Sequence, residues 1–198
     1  MKSELIFKYG TMASGKSLYL LSTAHQFKIN NIKYQLFKSD IDTRDIGAIS
    51  SRIGISEECV LINKEDYFEK YINSDTKWIL IDEAQFLTSQ QIDELAYIVD
   101  NKNINVICYG LRTDFKTQLF PGSKRLFEIA DSFEEIKSSC YCNSKTIFNA
   151  RIDGDENIVT EGEQIEIGGD DRYTSMCRKC YFEKTNHPLY KQNKNNLD

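Results

Sequence analysis

The residues from Gly10 to Ser17 form the pattern with the clearest chemical meaning in this sequence. They read Gly-Thr-Met-Ala-Ser-Gly-Lys-Ser, and they lie between an apolar run at Leu5–Phe7 and an amphipathic stretch. A strand that turns into a helix through such a loop is the context of a Walker A phosphate loop, although a plain glycine turn before a helix is the alternative. Loop N–H groups would point at phosphate oxygens, Lys16 would reach the β- and γ-phosphates, and the Ser17 hydroxyl would hold Mg²⁺. The pattern predicts that the chain binds a nucleoside triphosphate.

Two acidic residues, Asp82 and Glu83, form the second group that could do chemistry. They end a continuous apolar run, Trp78–Ile81, of the kind found in a strand buried on both faces of a parallel sheet. A carboxylate at that edge can organise Mg²⁺, and its neighbour can accept a proton from a nucleophile. The alternative is that both are helix-capping acids.

Four cysteines form the third group, in the close pairs Cys140/Cys142 and Cys177/Cys180. Four thiolates can close a tetrahedral Zn²⁺ site with no open position, which makes such a site structural. A redox pair or four unligated thiols are the alternatives. The residues between the pairs, with an acidic stretch at 153–163, could then close over a ligand as a lasso pinned at its base by metal. Cys59 and Cys108 lie apart from this group, and we expect them to be buried and chemically silent.

Apolar periodicity indicates the elements that must position these groups. We expect strands at 3–9, 33–38, 78–81, 105–109 and 131–137, and helices at 16–27, 64–73, 89–100 and 123–129. Alternating strands and helices predict an α/β fold, a P-loop (RecA-like) parallel sheet flanked by helices, with a small C-terminal zinc-ribbon lobe that carries the lasso loop. The expected domains are a nucleotide-binding domain at 1–138 and a zinc lobe at 139–184, followed by a disordered tail at 185–198.

Two further groups of side chains have either a functional or an ordinary explanation. Arg44 lies in a polar segment, and Arg52 follows it. A guanidinium group can bind two phosphoryl oxygens at once, so these arginines could contact phosphate. The alternative is that both arginine side chains are simply solvated. Phe115 and Phe120 lie in a predicted loop, where they could stack on a base or pack locally.

Composition narrows the class of protein. The chain has 198 residues, six cysteines and a formal net charge of −5, which argues against a broad basic surface for nucleic acid. No apolar run approaches the roughly 20 residues of a membrane span, and the N-terminus shows no signal-peptide pattern. We therefore expect a cytoplasmic protein that binds neither membrane nor nucleic acid.

Taken together, these residues resemble the cytosolic type (type II) of thymidine kinase over about residues 3 to 184. The resemblance rests on motifs in a fixed order: the phosphate loop at 10–17, Asp-Thr-Arg at 42–44, Ser-Arg-Ile-Gly at 51–54, Asp-Glu-Ala-Gln-Phe at 82–86, Ile-Gly-Gly at 167–169 with Tyr173, and both cysteine pairs. It implies transfer of the γ-phosphoryl of ATP to the 5′-hydroxyl of thymidine, with Mg²⁺ and structural Zn²⁺. It also implies a homotetramer and feedback inhibition by thymidine triphosphate.

The resemblance also assigns roles to individual positions. Glu83 would be the catalytic base, and Ser17 and Asp82 would hold magnesium. The implied ATP contacts are Gly10, Thr11, Met12, Ala13, Ser14, Gly15, Lys16, Ser17, Asp42, Thr43, Arg44, Asp82, Ala84 and Gln85. The implied nucleoside contacts are Met12, Phe86, Leu111, Phe115, Phe120, Gln164, Ile165, Glu166, Ile167, Gly168 and Tyr173.

Within that set, Met12 and Leu111 would pack around the 5-methyl group of thymine. Asn149 falls where some relatives carry threonine near that methyl group, so deoxyuridine is a possible second substrate. The zinc ligands would be Cys140, Cys142, Cys177 and Cys180.

Two other functions remain compatible with parts of the sequence. A P-loop ATPase coupled to nucleic acid through the zinc lobe would show hydrolysis stimulated by polynucleotide, whereas a nucleoside kinase would respond to thymidine. A nucleotide-responsive binding module would bind ATP without transferring a phosphoryl group.

Overall fold

The computed structural model describes residues 2–42, 46–155, 157–164 and 172–191. The chain divides into two compact units, and neither is a single continuous segment. The first unit comprises Met1–Gly10, Gly15–Arg112 and Leu119–Ile136, and the second comprises Thr11–Ser14, Thr113–Gln118 and Lys137–Asp198. The second unit therefore includes two short segments that the sequence places within the predicted nucleotide-binding domain.

The first unit contains the large sheet and the three long helices. Its strands are β1 (Leu5–Gly10), β2 (Tyr34–Ser39), β3 (Ala48–Ser50), β4 (Ser56–Glu58), β5 (Val60–Ile62), β6 (Trp78–Asp82), β7 (Asn105–Leu111) and β8 (Ser132–Ile136). Its helices are α1 (Lys16–Ile29), α2 (Ser89–Lys102) and α3 (Pro121–Ile129).

Six of these strands form one sheet in the order β5-β2-β6-β7-β1-β8, and the neighbouring strands run parallel. The strand that leads into the phosphate loop, β1, is separated from the strand that ends in Asp82, β6, by β7. Because the strands are parallel, their carboxyl ends meet at one edge of the sheet, where ligands bind in folds of this kind. The predicted α/β class is confirmed.

Alternation along the strands places apolar side chains on both faces of this sheet. On β6, Ile79 and Ile81 belong to one buried cluster with Leu95 of α2, whereas Leu80 belongs to a second cluster with Leu20 of α1. Helices thus cover both faces, and this explains why the run from Trp78 to Ile81 is apolar at every position.

The segment at 64–73 does not form the predicted helix, and only Phe68–Lys70 makes a short 3-10 turn. Side chains of α2 satisfy this backbone instead. The Glu94 carboxylate accepts hydrogen bonds from the N–H groups of Phe68 and Glu69, and the Gln91 amide donates to the carbonyl of Asp66. These bonds replace the hydrogen bonds that a helix would make within the segment. The β3–β4 hairpin and β5 were also not predicted, since each is only three residues long.

The second unit is built around a small antiparallel sheet. Its elements are β9 (Phe148–Ile152), β10 (Ile158–Val159), β11 (Tyr173–Met176), α4 (Arg178–Lys184) and α5 (Pro188–Lys191), and the strand order is β10-β9-β11. Its core joins Phe148 and Met176 of the sheet to Tyr181 of α4 and to buried cysteines.

The predicted disordered tail differs from the structure in its first part. Pro188–Lys191 forms α5, and the ring of Tyr190 lies 5.2 Å from that of Phe182. Residues 192–198 lie outside the described residues. Among the residues that are described, no helix is both long enough and apolar enough to cross a membrane.

Candidate active site

The phosphate loop lies where the sequence predicts it, between the end of β1 at Gly10 and the start of α1 at Lys16. Gly15 precedes the helix with φ +87°, a conformation that L side chains rarely adopt. A glycine at position 15 therefore allows the chain to turn sharply into α1. Lys16, the first residue of α1, is 8% exposed.

The tip of this loop is held by side chains of the second unit, to which it belongs. The Thr11 hydroxyl is hydrogen-bonded to the hydroxyls of Ser138 (2.8 Å) and Thr146 (3.0 Å). The N–H of Met12 donates to Asn149 Oδ1 at 2.7 Å, and Ser175 Oγ donates to the carbonyl of Met12 at 2.7 Å. The backbone of Met12 is thus fixed on both sides of its side chain.

These hydrogen bonds show which polar groups of the loop already have a partner in the protein and which could still bind a ligand. Met12 N–H donates to Asn149 rather than pointing freely at a ligand. In the described parts of the chain, the buried side-chain oxygens without a hydrogen-bond partner are Ser14 Oγ and Thr113 Oγ1. A buried hydroxyl with no partner is costly, and a phosphate oxygen would satisfy Ser14. The loop fits a phosphate group on this observation.

Asp82 lies at the carboxyl end of β6 and is 3% exposed. Its Oδ2 accepts a hydrogen bond from Ser17 Oγ at 2.8 Å, so the two residues predicted to hold magnesium are in contact. Burial raises the pKa of Asp82 to about 6, the negative charge of Glu83 adds to the increase, and the Ser17 hydroxyl and Lys16 oppose it. A divalent cation would favour the ionised carboxylate here, so oxygen donors and charge both fit Mg²⁺.

Glu83 is held by its backbone and its side chain together. It has φ 54°, which is uncommon for a residue other than glycine, and its N–H donates to Asp82 Oδ1. Gln85 Nε2 donates to Glu83 Oε2 at 2.5 Å, while Gln85 Oε1 accepts from the N–H of Leu111 at 2.9 Å. Gln85 therefore ties the Glu83 carboxylate to the end of β7.

The position of the Gln85 amide depends on a close approach between Gln85 and Gly110. A Cβ atom on Gly110 would lie 2.9 Å from Gln85 Oε1, so a larger residue there would displace the amide. The aromatic residues predicted nearby also pack together, since the rings of Phe86 and Phe120 lie 5.7 Å apart in an edge-on arrangement.

Asp42 makes a buried ion pair rather than lying in an open loop. Its Oδ2 is 3.1 Å from Lys38 Nζ, and the two side chains are 6% and 3% exposed. Lys38 is in register with Asp82 on the neighbouring strand, so the pair lies at the same edge of the sheet. Thr43 and Arg44 lie outside the described residues. Arg52 is exposed.

The second unit contains the other predicted nucleoside contacts. Phe115 is 2% exposed, and its carbonyl accepts a hydrogen bond from the hydroxyl of Tyr181. Gln164 Nε2 donates to Asp114 Oδ2 at 2.9 Å, and Asp114 Oδ1 accepts from the N–H groups of Lys116 and Gln118. Asp114 thus connects the turn around Phe115 with the end of the described part of the lasso. Ile165, Glu166, Ile167 and Gly168 lie outside the described residues.

The four clustered cysteines meet in space as predicted. Their sulfur atoms all lie within 4.8 Å of one another, and the sulfurs of Cys142 and Cys177 are 3.6 Å apart. Four sulfurs at about 2.3 Å from a tetrahedral Zn²⁺ are about 3.8 Å apart, whereas a disulfide needs about 2.05 Å. The N–H of Cys180 also donates to Cys177 Sγ at 3.4 Å. The donor set and its spacing fit a structural zinc ion.

The protein-family comparison is decisive for a chain with this geometry, because the family model described as thymidine kinase matches residues 3–181. The chain belongs to the thymidine kinase family. Similar proteins include thymidine kinases of Zymomonas mobilis (42% identity over 190 residues; 93% of this chain and 98% of the relative) and of Mannheimia succiniciproducens (43% over 189 residues; 92% and 97%). A thymidine kinase of Lactococcus lactis is 44% identical over 187 residues, covering 91% of this chain and 98% of the relative.

Family membership confirms the resemblance seen in the motifs. Among the described residues, three buried charged side chains were not among the predicted site residues. Lys38 pairs with Asp42, Asp114 holds Gln164, and Arg151 lies beside Phe115 and Tyr173. The available signal at Lys38 was a charged residue within the strand predicted at 33–38, since such a position needs a partner when buried.

Proposed function

We propose that this chain transfers the γ-phosphoryl group of ATP to the 5′-hydroxyl of thymidine, giving thymidine monophosphate and ADP for DNA synthesis. The observation that carries the proposal is the family match across residues 3–181 in a chain whose phosphate loop and acidic strand end are both formed. Deoxyuridine, which lacks only the 5-methyl group, is a possible second acceptor.

The phosphates of ATP would lie against the loop from Gly10 to Ser17, with Lys16 supplying a positive charge and Ser14 Oγ a hydrogen bond. Arg44 and Arg52 are candidates to neutralise the transferring group. Ser17 and Asp82 would hold Mg²⁺, which when bound neutralises phosphate charge. Positioning and charge neutralisation are the main sources of catalysis in phosphoryl transfer.

Glu83 would accept the proton of the 5′-hydroxyl as that oxygen attacks the γ-phosphorus. A hydroxyl is a weak nucleophile at neutral pH, so a carboxylate within hydrogen-bond reach accelerates the reaction. The hydrogen bonds that Gln85 donates to Glu83 and accepts from Leu111 support this role, because they hold the carboxylate in one place. Asp42, Ala84 and Gln85 would contribute to the ATP side of the site.

The nucleoside would be bound by Met12, Phe86, Leu111, Phe115, Phe120, Gln164, Tyr173 and the lasso residues 165–168. The low exposure of Phe115 favours an edge or packing contact with the base over open stacking. Zinc held by the four cysteines would keep the second unit in shape, as structural zinc sites do.

We further propose a cytoplasmic homotetramer that is inhibited by thymidine triphosphate and binds no nucleic acid. The support is the resemblance, together with the net charge of −5. Sedimentation with and without thymidine triphosphate, combined with inhibition assays, tests assembly and regulation.

The first test of the function is ATP-dependent phosphorylation of thymidine, deoxyuridine, deoxycytidine and deoxyadenosine in parallel, with single-stranded DNA as a separate additive. Selective formation of thymidine monophosphate is expected. ATP hydrolysis that DNA stimulates, without any nucleoside product, would refute the proposal in favour of a nucleic-acid-coupled ATPase.

A further inference from the structure

Arg151 is a buried cation at the centre of the second unit. It lies on β9 and is 5% exposed. Its Nε donates to the hydroxyl of Tyr173 at 3.0 Å, and Nη2 donates to the carbonyl of Glu163 at 3.0 Å. Its Cζ lies 3.7 Å from the centre of the Phe115 ring. One side chain therefore contacts residues of three separate segments, at 115, 163 and 173.

All three residues that Arg151 contacts are expected nucleoside contacts or lie next to one. Phe115 and Tyr173 are both expected nucleoside contacts, and Glu163 precedes Gln164, where the expected lasso contacts begin. Glu163 and Tyr173 also lie before and after the expected nucleoside contacts at 164–168, so Arg151 contacts the chain on both sides of them. A change at Arg151 would alter all of these positions together.

The guanidinium group suits this task better than any other side chain. Its planar fork can donate in two directions while its face stacks on an aromatic ring, whereas a lysine ammonium offers one compact charge without a face. A guanidinium within about 6 Å of a ring centre is attracted by the ring's electrons, and the attraction increases when water is excluded. Burial thus strengthens the contact with Phe115.

We propose that Arg151 is a positioning residue for the nucleoside, acting through Phe115, Tyr173 and the backbone of Glu163 rather than by touching the reacting atoms. This rests on the proposed function. Arg151 determines the affinity for thymidine far more than it determines the affinity for ATP, because its described partners are, or lie next to, residues expected to contact the nucleoside.

The experiment compares Arg151→Met and Arg151→Lys with the matched control Arg125→Met. Arg125 also donates to two partners, Asp93 and Glu128, but its side chain is 33% exposed on α3 of the first unit. We measure KM for thymidine and for ATP, kcat, zinc content and melting temperature. Amide hydrogen exchange at 163–164 and 173–176 is followed in the same variants.

Arg151→Met is expected to raise KM for thymidine about tenfold or more, with KM for ATP within about twofold of the parental value. Arg151→Lys keeps the charge and the approximate volume but loses the fork and the stacking, so we expect at least about a fivefold increase. Arg125→Met should leave both constants unchanged. A merely structural role would instead lower zinc content and raise both KM values together, since the loop tip Thr11–Ser14 belongs to the same unit.

Two kinetic results would overturn the proposal: a thymidine KM within about twofold of parental in both Arg151 variants, or parallel increases in both KM values with loss of zinc. A parental enzyme that makes no thymidine monophosphate would refute the proposed function instead. Hydrogen exchange then decides the role of Arg151, because faster exchange at 163–164 and 173–176 in Arg151→Met than in Arg125→Met supports it and equal exchange refutes it.

Discussion

The two units hold their functional side chains in different ways. In the first unit, Asp82, Glu83 and Gln85 are near neighbours in sequence, and the end of one strand places them. In the second unit, the bonds that hold Met12 join residues 137 and 163 positions apart, to Asn149 and Ser175 respectively. The geometry of the acidic site is therefore set largely by residues of one motif. The geometry around Met12 forms only when segments far apart in sequence have folded together.

The largest effect is expected from Glu83→Gln in the first unit. The amide keeps the shape of the side chain but cannot accept the proton of the 5′-hydroxyl, so turnover should fall about 10²-fold or more while ATP binding persists. Steady-state kinetics and ATP titration check this result. Glu69→Gln, an exposed glutamate paired with Lys102, is the matched control and should be fully active. Near-normal turnover of Glu83→Gln would exclude Glu83 as the base.

A second prediction concerns the cysteine cluster. Cys177→Ser removes one of the four thiols and also the sulfur that accepts the N–H of Cys180. Loss of metal should loosen the whole second unit, so we expect zinc content to fall well below one per chain and thymidine phosphorylation to fall about tenfold or more.

The same variant tests the contrast between the units, because the loop tip belongs to the second one. KM for ATP should rise as well as KM for thymidine. Cys59→Ser, which lies outside the cluster, is the control. If Cys177→Ser lost its zinc but kept both KM values, the second unit would not depend on the metal for its shape.

A third, smaller effect is expected at Asn149. Its Oδ1 accepts from Met12 N–H, and its Nδ2 donates to the carbonyl of Thr113 at 3.2 Å. Asn149→Ala removes both bonds, so the loop tip should be less well ordered, and KM for ATP should rise about fivefold. Kinetics against Asn157→Ala, an exposed asparagine that bonds within its own turn to Asp153, provide the comparison. An unchanged KM for ATP would show that Thr11 and Ser175 suffice to fix the loop.

The smallest effect is a change in stability with pH. The pKa of Asp82 is raised from 3.8 to about 6, so ionising it costs the folded state more than the unfolded state. That cost is absent below about pH 4, grows as the pH rises towards 6, and is complete above it. Without nucleotide or Mg²⁺, Asp82→Asn should therefore melt a few degrees higher than the parental chain at pH 7.5, with a smaller gain at pH 5. Asp100→Asn, an exposed substitution on α2, should show no such gain. A lower melting temperature for Asp82→Asn at pH 7.5 would mean that its bond with Ser17 outweighs the cost of burial.

The contrast between the units also explains how much could be predicted from the sequence. The phosphate loop and Asp82 could be predicted as candidates because each combines a local pattern with an apolar strand, and the cysteine cluster because metal ligands keep a regular spacing. The helix expected at 64–73 was wrong because Gln91 and Glu94, on a helix distant in sequence, satisfy backbone groups of Asp66 and Phe68. The contacts of Arg151 with Phe115, Glu163 and Tyr173 depend on which segments meet in three dimensions, and no local pattern reports those partners.

The assignment of the tip of the phosphate loop, Thr11–Ser14, to the second unit has a consequence for protein engineering. A fragment ending at residue 136 would contain the whole large sheet but would lack Ser138, Thr146, Asn149 and Ser175, which fix that tip. Such a fragment is therefore not a transplantable nucleotide-binding module. A chimera between two relatives should exchange residues 11–14 and 113–118 together with everything from 137 onward. These segments fold as one unit, and no single crossover point in the chain would keep them together.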